Sequence, residues 1–183
     1  MSNVRTRPAT ATDLPELVEL VNSAYRGDSS RRGWTTEAEL LGGQRTDAVT
    51  LAAQLTAADA VVLVAERDSR LVGCVLLERA GATEAYLGML TVDPQGQTVG
   101  LGSALLTAAE RYVRETYGAV AMKMTVIAQR AELIAWYERR GYVRTGETEK
   151  FPYGDLRFGL PKRDDLYFVV LRKLFSAADD QPK

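Results

Sequence analysis

Apolar positions along the chain alternate between a helical and a strand period. In TDLPELVELVNSAY, residues 12–25, the side chains of Leu14, Leu17, Val18 and Val21 share one helical face. Pro15 sits in the first turn, where its missing N–H costs little, and Thr12 is a candidate cap. The polar cluster RGDSSRRG then interrupts the chain. WTTEAELLGG reads as a second short helix, capped by Thr35 or Thr36 and stopped by Gly42 and Gly43, and TDAVTLAAQLTAAD as a third. A long helix over residues 100–117 carries Leu101, Leu105, Ala108 and Tyr112 on one face and closes at Gly118. RAELIAWYERR forms the last, closed at Gly141.

Between these helices lie β-rich runs. NVRTRP reads as a short first strand, and AVVLVAERDSRLVGCVLLERA as two strands around a turn at RDSR. TEAYLGMLTV is a strand ended by Asp93-Pro94, because proline cannot donate to a ladder. AVAMKMTVIA is a buried strand and LYFVVLRKLF the last one. YVRTGETEKF leads into an irregular loop, PYGDLRFGLPKRDD, and loops of that length are more often functional than idle. No internal repeat interrupts the pattern, so one domain is expected over residues 1–175, with residues 176–183 as a mobile tail.

Composition narrows the chemistry. At 183 residues and 46% hydrophobic content the chain can bury one substantial core. Its net charge of −1 provides no global field for nucleic acid or an anionic membrane, and neither partner is expected. The N-terminus lacks the apolar core of a secretory signal, and no apolar run approaches the roughly 20 residues that cross a bilayer. Cys74 is the single cysteine, so an intrachain disulfide is impossible; a cytoplasmic location is expected. Histidine is absent altogether. That excludes a Ser-His-Asp triad, a Cys-His pair and histidine-ligated zinc, and no aspartate cluster points to another metal.

The stretch TVDPQGQTVGLGSALL, residues 91–106, carries the clearest chemical signal. It fails as a dinucleotide fingerprint, because counting from Gly100 and Gly102 the third position is Leu105 rather than glycine or alanine. It also fails as a Walker loop, since no lysine follows the glycines. What remains is Gln97-x-x-Gly100-x-Gly102 at the mouth of a long helix, directly after a strand. Unpaired N–H groups of Thr98, Val99, Gly100, Leu101, Gly102 and Ser103 can wrap a pyrophosphate there, beside the positive end of the helix dipole. Glycines at such a turn can equally serve only to shape a tight connection.

The preceding strand, the proline, the Gln97 spacing and a second motif, RAELIAWYERRGYV, favour the phosphate reading. Together the two stretches resemble the GNAT superfamily of N-acetyltransferases, and the order of elements matches over roughly residues 4–174. The resemblance implies an α/β (α+β) fold with a mixed, mostly antiparallel central sheet of about six to seven strands flanked by helices. It implies acetyl-CoA as co-substrate and no metal. Leu90, Thr91 and Val92 are expected to pair with the pantetheine arm through backbone groups, in a splay between their strand and AMKMTVIA. Tyr137 is expected beside the sulfur, as the acid that protonates the departing thiolate, although its place on an amphipathic helix also allows a packing role.

A backbone N–H near Leu90 can stabilise the oxyanion. Where relatives carry a glutamate base, this sequence has Thr125 and Tyr86, so the base candidates are Glu84, Glu37 or a water chain, each glutamate being readable as a surface charge instead. Arg130 stands where many members place an asparagine that contacts the coenzyme; an arginine can still reach coenzyme or phosphate. Trp34, Glu37, Arg45, Phe151, Tyr153 and Arg157 are expected to wall the acceptor cleft. The implied activity is acetyl transfer to a primary amine of a small molecule or amino acid, by direct attack in a ternary complex. Alternatives are a non-catalytic acyl-CoA-binding module, a peptide or protein N-acetyltransferase, and a mononucleotide-binding protein; a homodimer is compatible with the exposed strands.

Overall fold

In the computed structural model, which describes residues 4–31, 33, 36–95 and 100–176, the chain runs in fourteen regular elements among the described residues. They are β1 (Arg5–Pro8), α1 (Leu14–Tyr25), α2 (Gly27–Ser30), β2 (Leu41–Gly42), α3 (Ala48–Thr56), β3 (Ala60–Arg67), β4 (Arg70–Arg79) and β5 (Glu84–Val92). Then come α4 (Leu101–Tyr117), β6 (Ala121–Ile127), α5 (Ala131–Glu138), β7 (Val143–Lys150), β8 (Leu160–Pro161) and β9 (Tyr167–Leu174). The main sheet has the order β1-β3-β4-β5-β6-β9-β7, and β2 pairs with β8 as a separate ribbon. Every neighbouring pair of the main sheet is antiparallel except β5 and β6. This is the mixed, mostly antiparallel sheet that the sequence predicts.

Strand alternation divides the core into two layers. On one face, Leu63 and Ala65 of β3 and Val75 and Leu77 of β4 pack with Leu105, Leu106 and Ala109 of α4 and Ile134 of α5. On the other, Val62, Val64, Cys74 and Leu76 pack with Leu17 and Val21 of α1 and Leu51 of α3. Odd and even positions of one strand thus serve opposite faces, as a two-residue period requires. The β3–β4 hairpin turns on Asp68 and Ser69, with φ of 49° and 61°, the pair of left-handed residues that a type I′ turn demands. Gly73 lets α4 approach the sheet: a Cβ there would lie 2.9 Å from the Thr91 carbonyl oxygen and 3.3 Å from Leu105 Cδ2.

In β5 the alternation changes phase. Ala85 and Leu87 face the α4 layer, Met89 faces the α1 layer, and then Leu90 and Val92 return to the α4 layer. The extra residue is absorbed by a bulge, marked by the register shift between Cys74 and Leu76 of β4 and by a φ of 51° at Met89.

Several local expectations are corrected. Residues 36–43 do not form a helix: Leu40 and Leu41 both donate to the Glu37 carbonyl at 2.8 Å in a single turn, and Leu41–Gly42 then pairs with Leu160–Pro161. Leu41 is drawn into a small apolar cluster with Ile127, Phe151 and Leu166, which a continued helix would not satisfy. Within RGDSSRRG the chain forms α2 rather than a plain interruption. Thr12 lies inside a one-turn 3₁₀ segment, Ala11–Asp13, and Thr10 provides the reciprocal contact instead, its amide donating to the Asp13 carboxylate at 2.7 Å. PYGDLRFGLPKRDD is built rather than irregular, with a 3₁₀ turn at Leu156–Phe158 started by Asp155 and then β8. YVRTGETEKF supplies β7, whose residues are all exposed and therefore leave no apolar period to read. Most of the expected mobile tail, residues 177–183, lies outside the described residues.

Candidate active site

The bulge shapes a cleft. β5 and β6 pair in parallel only at Glu84–Ala121, Ala85–Met122 and Tyr86–Lys123, after which the two strands part although β5 continues to Val92 and β6 to Ile127. Met89 and Leu90 fall in the gap of both ladders. A cavity of about 550 Å³ opens in the splay, walled by these strands, the end of α1, the start of α5 and the segment around Phe151. Ligand clefts of some 300–1,000 Å³ are typical for small molecules.

Tyr25, the last residue of α1, is buried in this wall, and its hydroxyl donates to the Leu90 carbonyl at 2.6 Å. Burial pushes its phenol up to about 12. The contact fixes the peptide at the bulge. Tyr25 continues the apolar stripe of α1 at Val21 + 4, so in sequence it is indistinguishable from a core residue.

Tyr137 projects from α5 into the same cleft, its ring edge-on to Trp136 and Tyr142 at centroid separations of 5.0 and 5.6 Å. Its hydroxyl has no hydrogen-bond partner among the described residues. Burial first, and then the neighbouring phenols of Tyr25 and Tyr86, push its pKa far above the ordinary tyrosine value against the opposing pull of Arg130 and Arg140. It therefore stays protonated at neutral pH, as a hydrogen-bond donor and not as a base.

Glu37 also reaches the cleft, but in company. Its carboxylate accepts from Arg26 Nη1 and, at 3.2 Å, from Arg130 Nη1. The Arg26 side chain is only 5% exposed and those of Glu37 and Arg130 are 10% exposed. Burial pushes the Glu37 carboxyl up, while Arg130, Arg45 and Arg26 outweigh it, so the net shift is downward. A carboxylate so held is a weak proton acceptor. Arg45 lines the cleft with its guanidinium 5.3 Å from the centre of the Tyr25 ring.

The remaining expected base is not brought here. Glu84 lies at the closed end of the splay, outside the cavity lining, and pairs with Arg172 at 2.6 Å and Lys123 at 3.5 Å, which together lower its pKa. Tyr86 and Thr125 hydrogen bond to each other across the splay at 2.8 Å. Two expected wall residues also fall elsewhere. Tyr153 ties its own loop together, accepting from the Leu166 amide at 2.8 Å and donating to the Arg163 carbonyl at 3.1 Å. Arg157 is 79% exposed and pairs with Asp155. Phe151 does line the cleft, stacked on Phe168 at 5.6 Å. Trp34 lies outside the described residues.

Beyond Val92 the glycine turn resumes at Gly100, with Gln97, Thr98 and Val99 outside the described residues. Gly100 is the residue before α4, with φ of 95°, and among the described residues no side chain caps this terminus and a Cβ at Gly100 would meet nothing within 4 Å. Leu101 and Gly102 are buried at the first turn, while the Ser103 hydroxyl accepts from Arg140 Nη2 at 2.6 Å and Nε at 3.2 Å. Arg140 also stacks over Trp136 at 3.6 Å. A fixed cation thus stands beside an uncapped, positively polarised helix end, a combination suited to phosphate. Sequence reading missed Arg140 and Arg26, because each lies in a run of charges where a solvated side chain is the ordinary outcome. Among the described residues no group of three or more acidic or cysteine side chains could hold a metal, and no helix is long and apolar enough to cross a membrane.

Comparison with known proteins agrees with this geometry. A search of curated proteins finds no significant match. Solved structures do match at the level of fold. The ribosomal-protein-S18-alanine N-acetyltransferase of Escherichia coli is 18% identical, with 99% of each chain covered and a TM-score of 0.69. The PaiA N-acetyltransferase of Thermoplasma acidophilum, in complex with coenzyme A, is 18% identical over 94% of this chain and 99% of that one, with a TM-score of 0.66. A GNAT family acetyltransferase of Elizabethkingia anophelis with acetyl-CoA bound is 15% identical over 96% and 100%, with a TM-score of 0.65. The model of the acetyltransferase (GNAT) domain matches residues 35–153, well over half of the sequence, and the chain belongs to the GNAT acetyltransferase family.

Proposed function

We propose that the protein is an N-acetyltransferase that transfers the acetyl group of acetyl-CoA to a primary amine of a small molecule or amino acid, by direct attack in a ternary complex. The observation that carries this reading is the splay itself: β5 is freed from β6 beyond Tyr86, with Leu90 outside both ladders and Tyr137 facing it with an unpaired hydroxyl. A cytoplasmic site of action suits the lone buried thiol, Cys74, which burial pushes up to about 12 and leaves unreactive.

Acetyl-CoA, when bound, supplies an activated thioester. Leu90, Thr91 and Val92 offer backbone groups to its pantetheine arm, and the amides from Thr98 to the first turn of α4, with Arg140 beside them, receive the pyrophosphate. Arg130, whose Nη1 is spent on Glu37, is directed to the cleft and not to the phosphates. The amine nitrogen forms a bond to the carbonyl carbon, the carbonyl oxygen takes up negative charge near the Leu90 amide, and the carbon–sulfur bond then breaks. Tyr137 gives its proton to the sulfur, and the proton lost by the amine leaves through water, because Glu37 is already engaged and Glu84 lies outside the cleft.

The test is kinetic and calorimetric. Tyr137→Phe should lower kcat by about 100-fold, within the usual range for general acid catalysis, with acetyl-CoA affinity nearly unchanged. Unchanged turnover would remove the acid role; no acetyl-CoA binding by the unaltered protein would remove the function.

A further inference from the structure

The polar lining of the cleft is unbalanced, and the imbalance carries a statement about the acceptor. Three guanidinium groups converge on it from three separate elements: Arg26 directly after α1, Arg45 between β2 and α3, and Arg130 at the start of α5. One carboxylate, Glu37, stands among them; elsewhere on the wall Glu149 is set against Lys123 and Lys150, so the lining keeps its surplus of positive charge. The two oxygens of Glu37 are engaged by Arg26 and Arg130, and Arg45 has no carboxylate partner among the described residues. Two further donors, Arg26 Nε and Arg130 Nη2, are fully buried without a hydrogen-bond partner among the described residues.

Buried donors of this kind are nearly always satisfied in a finished structure, and an unpaired buried cation is costly. Water can serve one N–H. It does not neutralise a surplus of positive charge in a wall of low dielectric, whereas an anion with two acceptor oxygens does both. Arginine is the side chain whose planar fork suits a carboxylate. The cluster also sits beside the reacting strand, since both Arg45 and Arg130 act electrostatically on Tyr25, whose hydroxyl holds the Leu90 carbonyl.

We propose that the acceptor carries a carboxylate close to its reactive amine, and that Arg130 and Arg45, steadied by Glu37 and Arg26, bind that carboxylate. Small amino acids fit; polyamines and aminoglycosides, which bring several positive charges to a cationic wall, do not. This rests on the acetyltransferase reading above and narrows its substrate. A carboxylate could also enter on the acyl group of the donor, as in a dicarboxylic acyl-CoA, and the experiment separates the two sources.

Thiol release is measured with acetyl-CoA and a panel of amino acids, each paired with its α-carboxamide, together with polyamines and aminoglycosides; the best pair is repeated with succinyl-CoA. The expected result is a best acceptor among the free acids, with kcat/KM at least about tenfold above its carboxamide, a fall attributable to one lost charged hydrogen-bonding partner. Arg45→Gln and Arg130→Gln should each shrink that ratio toward one, mainly through the KM of the acid. Arg45 forms no ion pair in the described fold, so its replacement serves if loss of Arg130 prevents folding. A best acceptor without a carboxylate, or equal rates for acid and carboxamide, overturns the proposal while leaving the acetyltransferase reading intact. So does a preference for succinyl-CoA with no acid-over-amide preference, which would assign the arginines to the acyl group. No release from any amine would overturn the enzymatic reading as well.

Discussion

Two arginine networks in this molecule use the same chemistry to opposite ends. At the rim of the sheet, Arg7 of β1 meets two carboxylates: it donates to both oxygens of Asp13 at 2.7 and 2.9 Å and to Glu66 at 2.9 and 3.0 Å. Asp13 in turn accepts from the Thr10 amide and hydroxyl. Donors and acceptors there are matched within the protein, and the network ties β1, the first 3₁₀ turn and β3 together. In the cleft the ratio is inverted, with Arg26, Arg45, Arg130, Lys123 and Lys150 against the carboxylates of Glu37 and Glu149, and two buried N–H groups have no partner among the described residues. A network that serves only the fold saturates itself; one that awaits a ligand leaves matched vacancies.

The sharpest way to break the comparison is Glu37→Gln. Removing that carboxylate leaves buried guanidinium groups opposed only to one another, and the expected loss is about 3 kcal/mol in denaturant unfolding, as for other broken buried pairs. A loss below about 1 kcal/mol would mean that the cluster is solvated well enough for the ion pairs to add little. Next in size is Gly100→Ala, at the second anion site. The new methyl would meet nothing among the described residues, yet φ is 95° and the space is where the pyrophosphate is proposed to lie. Acetyl-CoA affinity should fall about tenfold by calorimetry, with the unfolding midpoint changing much less. A midpoint loss with intact affinity would make the turn purely structural.

The rim network gives a smaller effect with a defined sign. Hydrogen bonding to Arg7 lowers the Asp13 carboxyl from 3.8 to about 2, against an opposing contribution from burial. Its stabilisation is therefore fully present above the unfolded value and is lost as pH falls through the folded one. Asp13→Asn should cost about 1 kcal/mol at neutral pH, after allowance for water around the partly exposed Arg7, and the difference from the unaltered protein should close between about pH 4 and pH 2. A difference that persists at pH 2 would assign the effect to the Thr10 contacts instead. Least of all, Arg157→Ala should change neither acceptor KM nor the unfolding midpoint, since this exposed arginine only meets Asp155. A raised KM would return it to the cleft wall.

What was legible in the sequence follows from what leaves a local trace. The β3–β4 hairpin was readable because two β-rich apolar runs around the polar turn RDSR are a local property, whereas which residue serves which layer appears only in the fold. The start of α4 was readable because only a glycine-rich turn permits a left-handed residue at a helix mouth with open space around it. The cleft wall was readable only in part, at Glu37, Arg45 and Phe151. Tyr25 meets Leu90 and Glu37 meets Arg130 across many tens of residues, and although Glu37 was a candidate, nothing in the sequence shows that it is held between Arg130 and Arg26 or that Tyr25 is more than a core ring. Glu84 and Arg157 misled for the mirror-image reason, since a charge in the right segment does not reveal whether it turns toward the cleft or toward an ion partner. β7 was hidden because its apolar signal is missing: its strand character comes from pairing with β9 alone.

The most direct measurement of the central claim is amine-dependent release of coenzyme A thiol from acetyl-CoA by the purified protein, followed with the unaltered chain and with Tyr137→Phe. Release that depends on both the amine and the Tyr137 hydroxyl is the predicted result. Binding of acetyl-CoA without release from any primary amine would show that the splayed strands hold a carrier and do not discharge it, and the account of the site as catalytic would be wrong.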